Sequence, residues 1–466
     1  MTDRHIVRFE GEGSGVGELS WGQREIWDVI RAKGDSLSIG GVRTLPSGLT
    51  VGDVADGLRL IMSRHQALRT RLRFDLDGQT RQVVHASGEI ALEVVDAGDG
   101  DPAEVAAAVA AGYKARNFDY EHEWPLRMAV VTQRGAATHV AEMFCHLAVD
   151  AFGLAAVHDD LAGGTGPDLG PATGLPPLDQ ARRQQAPRGR LVHETAMRYF
   201  ERLAERVPLG QFRGSADPRR PRFWQLTCES PAGYRAARVL AGRAGVTTSP
   251  VLLGAYAVAV TEFTSSEPAV IQLVVNNRFR PGFGGSVSTV TQSCPGVIDV
   301  AGASFGEVVV RAWHASLGAY KHAYYDPVGK DELSRRLAAE RGGELDLPVF
   351  FNDRRVRSRE LADAVLDDAV LDDAVPAAAV PAAAVPAVAP AELTMTWGER
   401  NDMPEQKLFL YINDISDTLC YELWADTHFV SPADMVAVMR RIESVLVESA
   451  SGDVAGGAVA ATGHVR

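Results

Sequence analysis

Apolar positions along the chain switch between two spacings, and the switch predicts helices and strands mixed along its whole length. Val54, Leu58, Ile61 and Met62 recur at the spacing of an amphipathic helix. The run from Val270 to Val275 is rich in β-branched residues and indicates a buried strand. The same criteria predict helices at 103–116, 191–206 and 432–447 and strands at 72–74, 80–85, 347–351, 407–412 and 418–424. We therefore expect an α/β (α+β) fold.

One predicted strand leads into a motif that carries reactive groups. The apolar run after Val140 ends in Cys145 and His146, and Asp150 follows at His-x-x-x-Asp spacing. Apolar residues at helical spacing come next, at Leu154, Val157 and Leu161. His146 is thus predicted where a strand ends and a loop begins, which is a rigid support for a reactive side chain. A hydrogen-bonded core histidine gives the same pattern, so both interpretations stay open from these residues alone.

Polar and Gly-rich stretches predict how the chain is divided. A chain of 466 residues is too long for one ordinary domain, so we expect two lobes, at 17–165 and 186–455. Residues 1–16 are predicted to be a flexible arm, 166–185 a linker between the lobes and 456–466 a flexible tail.

A low-complexity insertion is predicted at 361–391, within the second lobe. Valine recurs every five residues there, first in Leu-Asp-Asp-Ala-Val and then in Pro-Ala-Ala-Ala-Val. Repeated prolines interrupt helices and ladders, and alanines bury little area to offset the entropy of ordering. We expect the insertion to project into solvent and to be dispensable, and a docking tether is the functional alternative.

Composition narrows the range of partners and compartments. Acidic residues outnumber basic ones by 60 to 47, for a net charge of −13, which argues against nucleic acid as a partner. The N-terminus does not resemble a signal peptide, and the longest apolar run, 251–260, is too short to span a membrane. The four cysteines are scattered, so we expect neither disulfides nor structural zinc. We expect a cytoplasmic monomer without a membrane partner.

Several segments together resemble, in chain order, the condensation domains of nonribosomal peptide synthetases. They are Ser20 with Gln23 and Trp27, Arg64-His65 with Leu68-Arg69-Thr70, Phe118-Asp119 with Pro125-Leu126, the signature at 145–151, Ser286 to Val300, His322 and Pro348 to Asn352. The resemblance implies two chloramphenicol-acetyltransferase-like lobes that form a V-shaped pseudo-dimer, with His146 near the middle of a tunnel. Because no adenylation or carrier domain accompanies these motifs, we expect a free-standing member.

The resemblance also assigns roles to individual residues. His146 corresponds to the catalytic histidine of the family signature His-His-x-x-x-Asp-Gly. Asp150 corresponds to a structural anion that pairs with an arginine of the other lobe, which is best matched by Arg278. The alternative is a surface Arg278 and an Asp150 that caps the next helix. Cys145 and Ala151 depart from the signature His and Gly, and the tunnel candidates are Gly153, Ser288, Gln292 and Asn352.

The activity implied is the transfer of an acyl or aminoacyl group from the phosphopantetheine arm of a carrier protein to an amine or hydroxyl acceptor. No bound cofactor or metal is expected, since a thioester is already activated and needs only positioning and proton transfer. His146 would act as general base or position the acceptor, and Cys145 is expected to be a buried thiol rather than a nucleophile. Two alternatives remain, a catalytically silent scaffold that recruits carrier proteins or tailoring enzymes and a coenzyme-A-dependent HxxxD acyltransferase.

Overall fold

The computed structural model describes residues 2–76, 78–163, 172–343, 345, 347–355, 393–403, 406–415 and 417–452. The helices are α1 Trp21–Lys33, α2 Val51–Arg64, α3 Pro102–Lys114, α4 Ala151–Ala162, α5 Pro177–Gln185, α6 Pro187–Ala204, α7 Pro231–Ala244, α8 Thr248–Thr264, α9 Phe305–His322, α10 Pro327–Arg341 and α11 Pro432–Ser451. The strands are β1 Thr2–Glu10, β2 Gly15–Glu18, β3 Ile39–Thr44, β4 Thr70–Phe74, β5 Thr80–Val84, β6 Ser87–Asp96, β7 Leu126–Gln133, β8 Ala136–Phe144, β9 Phe223–Ser230, β10 Ala269–Val275, β11 Gln292–Ile298, β12 Val349–Asp353, β13 Thr394–Asn401, β14 Leu408–Ile415 and β15 Thr418–Asp426. The predicted mixed α/β class is confirmed.

The chain forms two compact units, and each of them is assembled from two separate stretches. The first unit consists of Met1–Leu191 and Asn276–Thr291, and the second of Val192–Val275 and Gln292–Arg466. The chain therefore leaves the second unit after β10, adds residues 276–291 to the first unit and returns in β11. The predicted lobe 186–455 thus does not hold residues 276–291, because these residues pack on the loop that carries His146 and Asp150.

The first unit is built on a five-stranded sheet in the order β1-β6-β7-β8-β3, in which only β6 and β7 run parallel. Helix α2 packs against β1, β6 and β7, and α3 packs against β3, β7 and β8. The predicted amphipathic face of α2 is confirmed, since Val54, Leu58, Ile61 and Met62 are all buried. Its side chains join those of the sheet and of α4 in one apolar core.

The N-terminal residues are part of the first unit, so the predicted flexible arm at 1–16 is wrong over 2–10. Strand β1 pairs antiparallel with β6 from Thr2 to Glu10, and its Val7 and Phe9 are buried in the core. Phe9 also meets Trp124 edge to face, at 5.2 Å between ring centroids. Strand β2 joins a separate three-stranded sheet in the order β2-β5-β4.

The predicted linker at 166–185 contains regular structure in its second half. Helix α5 spans Pro177–Gln185 and buries Leu178, Gln180, Ala181 and Gln184, so this stretch is part of the first unit's interior. Residues 166–171 of the linker, the insertion at 361–391 and the tail at 456–466 lie outside the described residues.

The second unit contains a seven-stranded sheet in the order β11-β10-β12-β14-β15-β9-β13. The buried strand predicted at 270–275 is confirmed as β10, which runs parallel to β12 and antiparallel to β11. Helices α7, α8, α9 and α11 pack against strands of this sheet. Nearly every residue of α8 from Ser249 to Val260 is buried, so this helix forms the centre of the unit's core.

No single helix within the described residues is both long and apolar enough to cross a membrane. The pair α7 and α8, which is bent by 108°, reaches that length and apolarity only when its two helices are counted together.

Candidate active site

The His-x-x-x-Asp motif occupies the short connection between β8 and α4. Strand β8 ends at Phe144 and α4 begins at Ala151, so His146 follows the strand as the sequence predicted. The Cys145 amide donates to the Pro125 carbonyl at 3.0 Å, and the Ala148 amide donates to the Cys145 carbonyl at 3.0 Å. At the other end, the Asp150 carboxylate accepts the Gly153 amide at 2.9 Å and caps α4. Both ends of the connection are therefore fixed by hydrogen bonds.

Asp150 is buried, and both of its carboxylate oxygens are occupied. Arg278 contacts them with two nitrogens, Nη1 to Oδ2 at 2.9 Å and Nη2 to Oδ1 at 2.6 Å. The Val290 amide and the Thr291 hydroxyl donate to Oδ2 at 3.2 and 2.8 Å. Burial by itself would raise the pKa of Asp150, but the charge and hydrogen bonds of Arg278 outweigh it and hold the pKa below its usual value. Asp150 is thus a fixed anion that both forms the ion pair with Arg278 and caps α4.

Arg278 is as thoroughly fixed as its partner. The side chain is buried, and Nη2 also donates to the carbonyls of Ser286 and Ser288 at 3.0 and 3.2 Å. The resemblance implied a pair between lobes. The structure instead has both residues in the first unit, because residues 276–291 belong to that unit.

His146 is partly exposed, and burial lowers the pKa of its ring against the opposing effects of Asp150 and of the backbone at His146 and Val149. The ring is consequently uncharged near neutral pH and has a lone pair that can accept a proton. Among the described residues, Nδ1 is buried and makes no hydrogen bond of good geometry. The backbone carbonyl of His146 accepts the hydroxyl of Thr289.

The side chain of Cys145 lies in an apolar cluster with Leu19, Trp27 and Leu147. Its Sγ is 3.9 Å from the Ser36 carbonyl, and burial raises the pKa of the thiol to about 12. A thiol with so high a pKa supplies almost no thiolate at neutral pH, which fits the expected structural role.

The other predicted site residues fall into two groups. Ser288 is buried in the first unit and accepts the Gln180 amide at 2.7 Å. Gly153 is packed so closely that a Cβ atom there would be 2.8 Å from Val149 and 3.3 Å from Arg278. Ala151 is the exposed first residue of α4.

Gln292 and Asn352 belong to the second unit. Gln292 donates to the Tyr325 carbonyl at 3.0 Å, and Asn352 is half-buried in β12. The structure therefore brings Asp150, Arg278, Gly153 and Ser288 together around the loop.

Sequence reasoning did not single out Gln180, Thr289 or Thr291, each of which bonds to a member of this group or to the loop. Both threonines lie in the stretch from Ser286 to Val300 that resembled a family motif, so the segment was identifiable but not the role of its hydroxyls. Within the described ranges, no three His, Cys, Asp or Glu side chains form a group that would hold a metal ion.

Comparisons with known proteins consistently find condensation domains and proteins that share their fold. Residues 34–165 match the family model of the condensation domain. The AMB antimetabolite synthetase AmbB of Pseudomonas aeruginosa is 30% identical over 278 residues, which are 56% of this chain and 21% of that protein. The chain thus spans about one fifth of that relative's length.

Two solved structures share the fold over nearly the whole chain. The X-domain from teicoplanin biosynthesis, in its complex with OxyB, has a TM-score of 0.69 at 18% identity and covers 95% of both chains. The condensation domain that mediates chain release from the enacyloxin polyketide synthase has a TM-score of 0.66 at 21% identity, covering 94% of this chain and 83% of that one. Residues 34–165 thus match the condensation-domain family, and the resemblance to the condensation domains of nonribosomal peptide synthetases inferred from the motifs is confirmed.

Proposed function

We propose that this chain transfers an acyl or aminoacyl group from the phosphopantetheine thioester of a carrier protein to an amine or hydroxyl acceptor, forming an amide or an ester. The observation that carries the proposal is the placement of His146, a partly exposed imidazole on a loop that is fixed at both ends. Burial also lowers the pKa of this ring. The match of residues 34–165 to the condensation-domain family supports the expected chemistry.

The proposed step balances without a metal or a covalent enzyme intermediate. The acceptor nitrogen or oxygen attacks the thioester carbonyl carbon, His146 takes the acceptor's proton, and the C–S bond breaks to release the phosphopantetheine thiolate. The proton held by His146 then neutralises that thiolate. Because burial lowers the pKa of His146, the ring is free to accept a proton at neutral pH.

Asp150 is not suited to take the proton itself. Its two oxygens accept hydrogen bonds from the guanidinium of Arg278, two backbone amides and the Thr291 hydroxyl. A carboxylate held in this way is a poor base, since its pKa is lowered and its lone pairs are committed. Its role in the proposal is to fix the loop.

The second candidate is a scaffold that binds carrier proteins or tailoring enzymes without catalysis. It is favoured by the departures at Cys145 and Ala151 and by the shared fold with an X-domain that was solved as a complex with OxyB. The apolar surroundings of Cys145 weaken this candidate, because the substituted side chain packs inside the first unit's core. A coenzyme-A-dependent transferase is the third candidate and uses the same histidine.

The deciding experiment measures single-turnover transfer from acyl-loaded carrier proteins to a panel of amines and alcohols by intact-mass spectrometry. His146→Ala should lose about 10²–10⁴-fold in rate, as expected for removal of a positioned general base. Cys145→Ala is the matched control from the neighbouring residue and should retain most activity. Thermal melts of both variants separate lost chemistry from lost folding.

Three outcomes would redirect the proposal. Equal rates for wild type and His146→Ala would remove the catalytic assignment. Transfer from acyl-coenzyme A with no transfer from any carrier protein would favour the third candidate. Carrier binding without any transfer would favour the scaffold.

A further inference from the structure

Residues 286–291 reach the His-x-x-x-Asp loop at three points. The Thr289 hydroxyl donates to the His146 carbonyl, and the Val290 amide and Thr291 hydroxyl donate to the Asp150 carboxylate. The last two contacts serve the buried anion. The contact of Thr289 is different, because it is made with the backbone of the histidine itself.

The backbone around Thr289 is fixed by close packing and by hydrogen bonds to its two neighbours. The residue is fully buried, and a Cβ atom added to Gly22 at the start of α1 would be 2.2 Å from the Thr289 carbonyl oxygen. The neighbouring Val290 carbonyl accepts the Asn277 side-chain amide at 3.0 Å. The Ser288 carbonyl, on the other side of Thr289, accepts Arg278 at 3.2 Å. The hydroxyl therefore reaches His146 from a backbone that has little room to move.

We infer that Thr289 is a positioning residue for His146, whose backbone carbonyl its hydroxyl holds in place for proton transfer. The inference rests on the proposed function, in which the imidazole ring must face the acceptor. A threonine hydroxyl can donate one hydrogen bond, and Thr289 donates it to the backbone carbonyl of His146, the residue that carries the ring. Loss of such a contact displaces the ring, and displacement of a catalytic group by about 1 Å can cost about 10²-fold in rate.

The same hydrogen bond has an effect on the protonation of the ring. The backbone of His146 and Val149 favours the protonated imidazole, and the Asp150 charge acts in the same direction although Arg278 neutralises it. The Thr289 hydroxyl directs the positive end of its dipole at one of these backbone carbonyl oxygens and reduces the oxygen's pull on a ring proton. Removal of the hydroxyl should therefore raise the pKa of His146.

The test compares Thr289→Val, which removes the hydroxyl at nearly constant shape, with Thr289→Ser, which keeps it. The matched control is Thr138→Val, because Thr138 is half-buried in the same unit and donates its hydroxyl to the Val131 carbonyl in the same manner at 3.0 Å. Each protein is measured by thermal melting, by single-turnover transfer across pH, and by NMR titration of ¹³C-labelled histidine, with the His146 signal assigned through His146→Ala.

Thr289→Val should lower the rate about tenfold to a hundredfold and raise the His146 pKa by about half to one unit, the equivalent of one hydrogen bond. Thr289→Ser should restore both values, and Thr138→Val should change neither. If Thr289→Val does not fold, Thr289→Ser and Thr289→Ala differ by the same hydroxyl and should show the same contrast. A Thr289→Val protein with wild-type rate and titration overturns the inference.

The titration separates this inference from the proposed function. If wild type transfers no acyl group from any donor, the proposed function fails, and the His146 titration still decides whether Thr289 acts on the ring. Where transfer by wild type is established, a wild-type rate and titration in Thr289→Val overturn the role of Thr289 and leave the proposed function standing.

Discussion

Asp150 in the first unit is buried and Glu443 in the second is half-buried, but their surroundings shift the pKa values of the two carboxyl groups in opposite directions. Asp150 faces Arg278 and additional donors, which hold its pKa below the usual value. Glu443, on α11, accepts the Ser230 hydroxyl at 2.6 Å through Oε1. Its Oε2 is buried and has no hydrogen-bond partner among the described residues. Burial therefore raises the pKa of Glu443, with the Ser230 hydroxyl and the Gly233 backbone opposing only in part.

The difference shows that burial alone does not set the charge of a carboxyl group. What decides the charge is the number of donors that the fold places around the group. Asp150 is required as an anion, because Arg278 would otherwise be a buried charge without a partner. Glu443 has no cation in hydrogen-bond contact among the described side chains, so its neutral form is tolerated.

The largest effect is expected from Asp150→Ala. Removal of one partner of a buried ion pair leaves the other charge uncompensated and typically costs about 3–5 kcal/mol. The free energy of unfolding from urea or guanidinium titration should fall by that amount. A loss below about 1 kcal/mol would mean that Arg278 finds other partners, and the contrast with Glu443 would disappear.

A smaller effect on the free energy of unfolding is expected when Arg278→Met is combined with Asp150→Ala. The second substitution removes the stranded charge, so the double variant should be more stable than the sum of the single losses predicts, by about 0.5–3 kcal/mol. Some loss should remain, since the Ser286 and Ser288 carbonyls also lose their donor. A double-mutant cycle with no coupling would contradict the ion pair as the source of the stability.

The pH dependence of stability in the same double-mutant cycle tests whether the pKa of Asp150 is lowered by folding. A carboxyl whose folded pKa is lowered contributes stability above its unfolded pKa, about 3.9, and loses that contribution as the pH falls through the folded value. Wild type should therefore lose more stability than the double variant between about pH 4 and pH 2. Parallel curves would show that the pair does not link folding to protonation.

The smallest effect is expected from Glu443→Gln, which keeps the acceptor for Ser230 but cannot ionise. At pH 7 its free energy of unfolding should stay within about 1 kcal/mol of wild type or exceed it. The sign of its pH dependence is opposite to that of Asp150, because a raised folded pKa gives stability that is lost as the pH rises. The free energy of unfolding of wild type should therefore fall relative to that of Glu443→Gln as the pH rises from about 4 to 7. A destabilised Glu443→Gln would show that the carboxylate is needed.

Local sequence patterns predicted most of the structural features that depend only on residues close together in the chain. The sequence predicted the periodicity of α2, the buried run of β10 and the position of His146 after β8. Each of these features is set by side chains only a few residues apart. The association of Asp150 with Arg278 came from matched motif positions rather than from spacing, and the structure forms that pair.

Features that depend on distant partners were missed. Strand β1 looked like a polar arm, since its burial arises only from pairing with β6, where Val7 is opposite Ile90. The buried face of α5 was hidden in a Pro-rich stretch, and Gln180 gains its role from Ser288 far along the chain. Thr289 could not be recognised either, because a hydroxyl's role depends on which carbonyl it faces.

The excursion of residues 276–291 into the first unit has a consequence for the order of events during synthesis. Asp150 and Arg278 are separated by 128 positions, so the loop that carries His146 emerges from the ribosome well before the arginine that neutralises it. At translation rates of about 5–20 residues per second, the delay is on the order of ten seconds. A nascent chain that ends before Asn276 therefore holds the Asp150 carboxylate without its cation and cannot complete the first unit.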